Sequence, residues 1–433
     1  MIDQILQSLI INPGPLLKFI NMVQKDYLHL KAYYYLFLLL AFLLPVYGRA
    51  VPLVIILIVL NWLAEGRFKE KLSQCIHVRK YSAILSFSLL FIIYLVSLLY
   101  STNIRQGLFE LEVILSILVF PVIFATMDTE IFSGNRGDNI FWAFCAGCLL
   151  ASLIMLGSAI VKYLGSYNLN EFIYYNLASG KHSSYISMYF SLNIAVITNY
   201  LIGKWRFSSF KIRLILVLLL VYFTFMVLLL TSKAGIIALI LVFLVFIIYS
   251  FQRREHFVPG IILSVLTIAF IISAFYLFVP TMGRFGEAFG SLYNFQNIKP
   301  DNTESTAERI LIWDCAVEAG LEKPLTGYGI GDVKDELGIM YQKNQVWHAF
   351  HLNLNAHNQY LQTFLATGLA GLLFLCLSLL LPFITSLSKK NLLYAVFLLL
   401  IGLNFLFESM LCRQAGVVFY AFFNGVFLFY AEA

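Results

Sequence analysis

Charged residues are scarce in this chain of 433 residues: Asp, Glu, Lys and Arg make up 12% of it, whereas hydrophobic residues make up 61%. A soluble domain needs a charged exterior, so this ratio excludes one. Apolar runs of about 17–25 residues, the length that crosses a bilayer as a helix, recur along the chain. Lipid offers no partner to backbone polar groups, so these runs are expected to be helical. The composition therefore predicts a polytopic membrane protein.

Cysteine is also sparse, and the six cysteines form no disulfide framework. Cys145 and Cys148 make a CxxC pair inside an apolar run, which favours packing over redox or metal chemistry. No cleavable signal peptide is apparent in residues 1–31, which we expect to form an amphipathic lead at the membrane surface. The net charge of +6 is attributed to cytoplasmic loops, and no nucleic acid is expected as a partner.

The apolar windows predict an all-α bundle of about twelve transmembrane helices with one large, partly helical loop. The expected spans are 32–46, 50–64, 82–100, 108–126, 140–162, 184–203, 212–231, 234–250, 258–279, 357–382, 392–407 and 414–431. The chain is thereby divided into residues 1–279, with the lead and helices 1–9, the loop 280–356, and residues 357–433, with helices 10–12. Membrane lipids surround the bundle, and both termini are expected on the same side.

Basic residues are concentrated in alternate loops, and the positive-inside rule places those loops in the cytoplasm. The basic residues of this set are Lys18, Lys25, Lys31, Arg67, Lys69, Lys71, Arg79, Lys80, Lys204, Arg206, Lys211, Arg213, Arg253, Arg254, Lys389 and Lys390. The opposite loops hold only the isolated bases Arg49, Arg105, Lys181, Lys233 and Arg413. The loop 280–356 therefore faces outward.

The isolated outward bases would suit a diphosphate or another anionic head group. The alternative is that each snorkels or pairs with a carboxylate such as Glu110, Glu112 or Glu408. The sequence shows no internal repeat, no paired Gly/Pro-broken helices in corresponding halves and few charges within spans. These absences argue against a secondary transporter.

The outward loop is expected to fold, because it is long and not of low complexity. Ser305–Glu308 is predicted to be a capping box that opens a helix to about Leu321. A glycine-rich turn, Thr326–Asp332, leads into a second helix, Val333–Lys343. No strand precedes this turn, so its expected part is to let the loop pass close to the membrane helices rather than to cradle a nucleotide. The acidic residues Asp332, Asp335 and Glu336 are expected to be solvated, which disfavours chemistry by a carboxylate pair.

Three histidines, His348, His351 and His357, follow this second helix. Their spacing is unlike that of a structural zinc site and no cysteine joins them, so no metal is expected. One neutral imidazole beside a hydroxyl is enough for general-base catalysis. We favour His357, because it lies where the polar loop enters an apolar helix. A histidine that merely caps this helix is the alternative, and His348 or His351 could share the base role.

Four motifs resemble the O-antigen ligase and O-antigen polymerase superfamily. They occur in the family's order over most of residues 230–420, and the N-terminal half is similar only as hydrophobic spans. The motifs are Leu230-Thr231-Ser232-Lys233-Ala234-Gly235; Arg309…Trp313 followed by Pro324…Gly327-Tyr328-Gly329; His357-Asn358…Gly368…Gly371; and Glu408-Ser409-Met410…Arg413-Gln414…Gly416.

The resemblance implies a membrane glycosyltransferase that moves a glycan from undecaprenyl diphosphate to an acceptor sugar, with inversion and without metal or cofactor. It makes His357 the catalytic base and Arg309 a clamp on the diphosphate. Lys233 stands where family members usually have Arg, and Lys lacks the bidentate fork of a guanidinium. Arg284 could supply that fork, and Arg413 is a further candidate. Two more expected substrate-binding residues are Asn358 and His351.

The acceptor distinguishes two enzymes that this resemblance allows. A ligase, which we favour, would use an acceptor such as the lipid A core, whereas a polymerase would use a second lipid-linked glycan. The acceptor groove is expected to be lined by aromatic residues of the outward loop, namely Tyr341, Trp347 and Phe350. A glycolipid carrier without chemistry is the alternative of a different class.

Overall fold

The computed structural model describes residues 14–77, 81–252, 256–276 and 298–430, with the single residues 286, 290, 291 and 293. Over these residues the chain is helical without a strand, which confirms the all-α prediction. The α-helices are α1 Gly14–Val46, α2 Val51–Glu65, α3 Phe68–His77, α4 Tyr81–Ser97, α5 Ile104–Ile114, α6 Ser116–Thr126, α7 Arg136–Ser166, α8 Tyr174–Ala178, α9 Ser183–Lys204, α10 Phe210–Leu229, α11 Lys233–Phe251, α12 Phe257–Tyr276, α13 Ser305–Glu322, α14 Val333–Lys343, α15 Trp347–His351, α16 Gln359–Ser388, α17 Leu392–Phe407 and α18 Gln414–Tyr430. Short 3₁₀ turns lie at Gly48–Ala50, Leu98–Tyr100, Thr129–Phe132, Leu169–Phe172 and Met410–Cys412.

The predicted spans correspond to helices throughout the described residues. Eight helices there are long and apolar enough to cross a membrane, and four shorter apolar helices accompany them. The largest differences from the expected boundaries are that α1 already begins at Gly14, that α7 and α16 extend several residues beyond the predicted spans 140–162 and 357–382, and that the span 108–126 is divided between α5 and α6 at Leu115. Residues 1–13 of the predicted lead lie outside the described residues.

Helix α9 is the most enclosed of the long helices, with 83% of its apolar window buried inside the protein. It packs against α7, α10, α11 and α17. A helix that is apolar on all sides is expected to be buried on all sides, and α9 has this composition apart from scattered Ser, Asn and Thr. The first turn of α9 is thereby fixed close to the ends of α11 and α17, where the candidate site lies.

The start of α13 differs from the predicted capping box. The N-cap is Glu304, whose Oε2 accepts hydrogen bonds from the backbone N–H of Thr306 at 2.9 Å and of Ala307 at 3.0 Å. The expectation of Ser305 at this position was wrong by one residue, because a carboxylate satisfies the first free N–H groups as a hydroxyl would. Helix α14 begins and ends at the predicted residues.

Asp332 is not solvated as expected, since only 6% of it is exposed. Its carboxylate accepts hydrogen bonds from the backbone N–H groups of Thr102 and Asn103, each at 2.7 Å. These two residues immediately precede α5, whose N-cap is Asn103, so the helix itself provides no partner for their N–H groups. Asp332 therefore joins the loop 280–356 to the α4–α5 junction, and the prediction of a surface residue was wrong.

The long helix α16 is interrupted at Gly368, which has φ +64° and ψ −159°. The backbone N–H of Leu369 consequently donates to the carbonyl of Pro324 at 2.8 Å instead of continuing the helix. A Cβ atom on Gly368 would lie 2.3 Å from the carbonyl of Leu325. Only glycine adopts this conformation at so close an approach, so Gly368 is required where the loop meets the apolar helix.

The glycine-rich turn inserts between α16 and the α4–α5 junction. Tyr328 donates its backbone N–H to the carbonyl of Leu365 at 2.8 Å. A Cβ atom would lie 2.5 Å from that same carbonyl if placed on Gly327, and 2.3 Å from the carbonyl of Asn103 if placed on Gly331. The expectation that these glycines let the loop pass close to the membrane helices is confirmed.

Candidate active site

The carboxylate of Glu408, which follows α17, is the centre of a cluster of polar side chains. Only 4% of Glu408 is exposed. Its Oε1 accepts hydrogen bonds from Arg309 Nη2 at 2.9 Å and Ser184 Oγ at 3.1 Å. Its Oε2 lies 3.4 Å from His357 Nδ1, and His182 Nε2 lies 3.8 Å from Oε1. Residues that are far apart in the sequence thus share one carboxylate.

Glu408 is ionised despite its burial. Burial raises the pKa of this carboxyl, but the hydrogen bond with His357 and the charge of Arg309 outweigh it and hold the pKa at about 2. A buried charge is tolerated only when it is paired and hydrogen-bonded, and here the surrounding donors meet that condition. Glu408 is therefore a fixed negative charge that orients the groups around it.

His357 is placed by the turn that precedes α16. Its backbone has φ +44°, in the left-handed region that residues other than glycine seldom adopt. Its N–H donates to Asn355 Oδ1 at 3.0 Å. The next residue, Asn358, is the N-cap of α16, because its Oδ1 accepts from the N–H groups of Tyr360 and Leu361. These local bonds fix the imidazole immediately outside the helix, so Asn358 and not His357 caps it.

The segment after α17 is attached to the same helix end. Ser409 Oγ accepts a hydrogen bond from the N–H of Asn358 at 3.2 Å. Gln359 Oε1 accepts one from the N–H of Leu411 at 2.7 Å. Both bonds are buried, and they hold Glu408 at a constant position relative to His357. The motifs around His357 and Glu408 are therefore one structural unit.

Arg309 and Lys233 differ in their partners. Beyond its bond to Glu408, the guanidinium of Arg309 has donors that no described residue accepts from, so they are available to an anion. Lys233 Nζ instead donates to Glu304 Oε1 at 2.6 Å and Thr306 Oγ1 at 2.7 Å. Burial opposes ionisation of Glu304, yet the bond from Lys233 lowers its pKa. Lys233 thus joins the start of α11 to the start of α13. This pairing agrees with the alternative that an isolated basic residue pairs with a nearby carboxylate.

The motif that contains Lys233 reaches Glu408 through hydroxyl groups. Ser232 Oγ caps α11 by accepting from the N–H of Gly235 at 3.2 Å, and it lies 3.3 Å from Ser184 Oγ. Ser184 in turn donates to Glu408. A Cβ atom on Gly235 would lie 2.4 Å from Ser187, so glycine is what lets α11 start directly against α9.

The remaining predicted site residues have different positions. Arg413 is exposed and makes no ion pair with a described residue, although its charge lowers the pKa of His182. His351 is exposed on α15 and lies against the ring of Trp347, outside the Glu408 cluster. Arg284 lies outside the described residues. Asn358 uses its side chain as a helix cap, and its expected contact with substrate stays a prediction.

Two other basic residues near the site are engaged in structural contacts. Lys181 Nζ donates to the carbonyls of Pro45 at 2.6 Å and Val46 at 3.0 Å, where α1 ends. His348 Nδ1 lies 2.5 Å from Glu308 Oε1 and joins α15 to α13. Neither residue contacts Glu408, and the suggestion that the isolated bases suit a diphosphate stays a prediction.

Sequence reasoning did not assign Glu408 or His182 to the site. An acid at the end of an apolar helix is a signal for function, because an ionised group there is costly unless it has a specific partner. His182 precedes the apolar helix α9 just as His357 precedes α16, so the same border argument applies to it. No spacing between these residues indicates their proximity, since the fold alone brings them together.

The arrangement suits acid–base chemistry beside an anion. With Nδ1 protonated and facing Glu408, the His357 Nε2 is left as a proton acceptor. The donors of Arg309 provide planar hydrogen bonding to phosphate oxygens. The described residues contain no group of three His, Cys, Asp or Glu side chains placed to hold a metal ion.

These observations define a class: a polytopic helical membrane protein whose imidazole, guanidinium and carboxylate groups meet where several apolar helices end. Residues 215–376 match the family described as O-Antigen ligase. The matched segment includes Lys233, Arg309 and His357 and ends before Glu408. It confirms, over these residues, the resemblance to the O-antigen ligase superfamily. No curated protein matches the chain.

Proposed function

We propose that this protein is a glycan ligase of the bacterial inner membrane, with its active site on the periplasmic face. It transfers a glycan from undecaprenyl diphosphate to an acceptor sugar such as the lipid A core. The observation that carries the proposal is the joint contact of His357 and Arg309 with one buried carboxylate, Glu408. The family match over residues 215–376 supports a lipid-linked glycan as the substrate class.

In the proposed reaction His357 Nε2 accepts the proton of the acceptor hydroxyl. The hydroxyl oxygen forms a bond to the anomeric carbon of the donor glycan, and the bond from that carbon to the diphosphate oxygen breaks with its electron pair. Attack from the opposite face inverts the anomeric configuration. Diphosphate is a good leaving group, so the protein supplies mainly orientation, one base and charge stabilisation, without metal or cofactor.

Glu408 is a positioning residue in this mechanism. Its Oε2 faces His357 Nδ1 and selects the tautomer whose Nε2 is unprotonated. It also stabilises the imidazolium that forms when the acceptor proton is transferred. The 3.4 Å separation is compatible with this role, because catalytic hydrogen bonds are often long before substrate binds.

Helix α15 provides the surface that we assign to the acceptor. Trp347 is 47% exposed, and its ring lies beside that of His351 at a centroid distance of 6.4 Å and an angle of 29°. Flat exposed rings of this kind suit the apolar face of a sugar.

Tyr341, which was expected to line the groove, is only 1% exposed and donates its hydroxyl to the carbonyl of Leu354. That expectation was wrong, since the ring packs inside the loop.

A reconstituted transfer assay tests the proposed function. Purified protein receives an undecaprenyl-diphosphate glycan with or without a lipid A-core acceptor, and the products are separated on a gel. A single shift that requires the added acceptor and is lost in His357→Ala supports the ligase. A ladder formed from donor alone identifies a polymerase instead.

The matched control is His348→Ala, which removes an imidazole that also faces a glutamate but lies outside the Glu408 cluster. We expect it to retain transfer. Loss of transfer in His348→Ala with retention in His357→Ala would overturn the assignment of the base. Absence of product from folded wild-type protein under both conditions would favour a carrier.

A further inference from the structure

His182 is the second imidazole beside Glu408, and nothing in the proposed mechanism uses it. It precedes α9, and its Nε2 lies 3.8 Å from Glu408 Oε1. Its side chain keeps 38% of its surface exposed, and the ring stands edge-on to Tyr185 at a centroid distance of 5.5 Å. The imidazole therefore lies at the rim of the site, in contact both with the carboxylate and with the space outside it.

Charged and titratable groups from four other segments face His182. The charged ones are Glu408 after α17, Arg413 before α18 and Arg309 on α13, and the fourth is the titratable imidazole of His357 before α16. Partial burial lowers the pKa of His182, the carboxylate of Glu408 opposes this, and Arg413, Arg309 and His357 lower it further. The net direction is downward, so the imidazole is neutral at neutral pH in this structure.

The charges of the described residues leave the site short of cations for a diphosphate. The charge of Arg309 is offset by Glu408 at 2.9 Å, and that of Lys233 by Glu304 at 2.6 Å. Lys181 on the adjoining loop is directed at the carbonyls that end α1. Among these residues Arg413 alone has a side chain without a hydrogen bond or ion pair to a described residue, so it is the one cation left uncommitted. A diphosphate esterified at both ends carries one negative charge on each phosphorus, which exceeds this supply.

We propose that His182 takes up a proton from solvent when the diphosphate of the glycan donor binds, and that it then becomes a cationic ligand of that diphosphate. This inference rests on the proposed function, because it assigns a further residue to the same donor site. No covalent bond changes in this step. The ligand contributes the negative charge that stabilises the imidazolium, as an opposite charge within a few ångströms does.

Linkage fixes the direction of the pH dependence. Bound diphosphate raises the pKa of His182 above its value in the free protein. Donor affinity is therefore highest below the pKa of His182 in the free protein. It decreases as the pH rises and reaches its lower limit once the pH exceeds the pKa of His182 in the complex. Between these two values the affinity falls about tenfold per pH unit, which is the limit for one linked proton.

Isothermal titration calorimetry of the full-length protein measures this proton directly. The probe is a short-prenyl diphosphate N-acetylglucosamine, whose esterified diphosphate keeps a constant charge near neutral pH. Titrations in buffers of different ionisation enthalpy give the number of protons taken up per ligand bound. For the wild-type protein we expect uptake that approaches one proton near neutral pH, and for His182→Gln we expect none.

Two variants separate this role from others. His357→Gln should retain the proton uptake, because the proposal assigns the proton to His182. His29→Gln is the remote control: His29 pairs with Asn61, and at 1.5 Å per residue it lies about 25 Å along α1 from the helix end that Lys181 contacts. A merely structural His182 would lower affinity in the variant without changing the proton count.

The possible results are distinct. Wild-type binding without proton uptake, or uptake that persists in His182→Gln, overturns the inference while leaving the proposed function intact. Uptake that disappears in His357→Gln instead also overturns it. Failure of the folded wild-type protein to bind the probe at any pH, together with failure in the transfer assay, counts against the proposed function itself.

Discussion

Replacement of Glu408 by Gln is the change that tests the site most directly. Burial raises the pKa of this carboxyl, but His357 and Arg309 bring it from 4.5 to about 2. That shift corresponds to about 3 kcal/mol in favour of the charged form, and the group is nearly fully buried, so solvent screening removes little of it. Because Gln cannot carry the charge, we expect Glu408→Gln to lower the free energy of unfolding by about 3 kcal/mol at neutral pH.

The same change has a defined pH window. A carboxyl whose folded pKa is depressed stabilises the protein above its unfolded value and loses that contribution as the pH falls through its folded value. The stability difference between wild type and Glu408→Gln should therefore be constant above about pH 5 and shrink between 4.5 and about 2. Thermal melts of both proteins at several pH values measure it.

Catalysis should suffer more than binding in this variant. A neutral amide can present either its oxygen or its NH₂ group to His357 Nδ1, so the tautomer that leaves Nε2 unprotonated is no longer selected. The neutral amide also fails to stabilise the imidazolium that forms during transfer, because it carries no negative charge. We expect kcat to fall by about 10²–10⁴-fold, as loss of an effective general base does, with a smaller change in the KM for donor.

The matched control is Glu110→Gln. Glu110 is a shielded carboxylate that accepts from Lys334 Nζ at 2.9 Å and from Gln106 Nε2 at 2.7 Å, with no histidine partner. It should lose stability but keep kcat within a few-fold. If folded Glu408→Gln retained wild-type kcat, the carboxylate would not orient the base, and the positioning argument would be refuted.

Three further changes have expected outcomes. Gly368→Ala should destabilise the protein by more than about 2 kcal/mol in thermal melts, because a Cβ atom there meets a carbonyl at 2.3 Å. The control is Gly157→Ala on α7, which should be neutral or stabilising because nothing lies within 4 Å of its Cβ position. Trp347→Ala should raise the KM for acceptor about tenfold, the equivalent of about 1.4 kcal/mol of stacking, and leave the KM for donor unchanged; an equal rise in both would contradict an acceptor surface. Lys233→Ala should destabilise the protein by about 1–3 kcal/mol, because the substitution leaves the carboxylate of Glu304 without its lysine partner. The control Lys343→Ala should change the stability little, because Lys343 is exposed. Unchanged stability with lost donor affinity would make Lys233 a substrate ligand instead.

The helices were largely predictable from sequence because their signal is local. A run of apolar residues long enough to cross a bilayer is visible within one window, and α17 begins and ends at the predicted residues. Features that depend on distant partners were not predictable. Asp332 was expected to be solvated, but its partners Thr102 and Asn103 are about 230 residues away in sequence, and no window around Asp332 contains them.

The candidate site shows the same division. The motifs identified Arg309 and His357, since a base and a cation for a diphosphate are recognisable as residue types. Their shared partner lies 99 residues from Arg309 and 51 residues from His357. The bond from Ser184 to that carboxylate spans 224 residues. Glu408 occurred in a motif, yet its place between His357 and Arg309 follows only from the packing of α9, α13, α16 and α17.

A buried carboxylate in a site for an anionic substrate has a consequence for turnover. In the proposed reaction the lipid diphosphate product retains the phosphates of the donor, so any clamp that holds the donor tightly also holds the product. Binding the substrate as tightly as the transition state lowers KM without raising kcat, and tight binding of the product slows its release. Glu408 offsets the charge of Arg309 in the free protein and thus weakens the attraction for both species, while it stabilises the imidazolium that exists only during transfer. In this scheme the same carboxylate favours the transition state and opposes retention of the product.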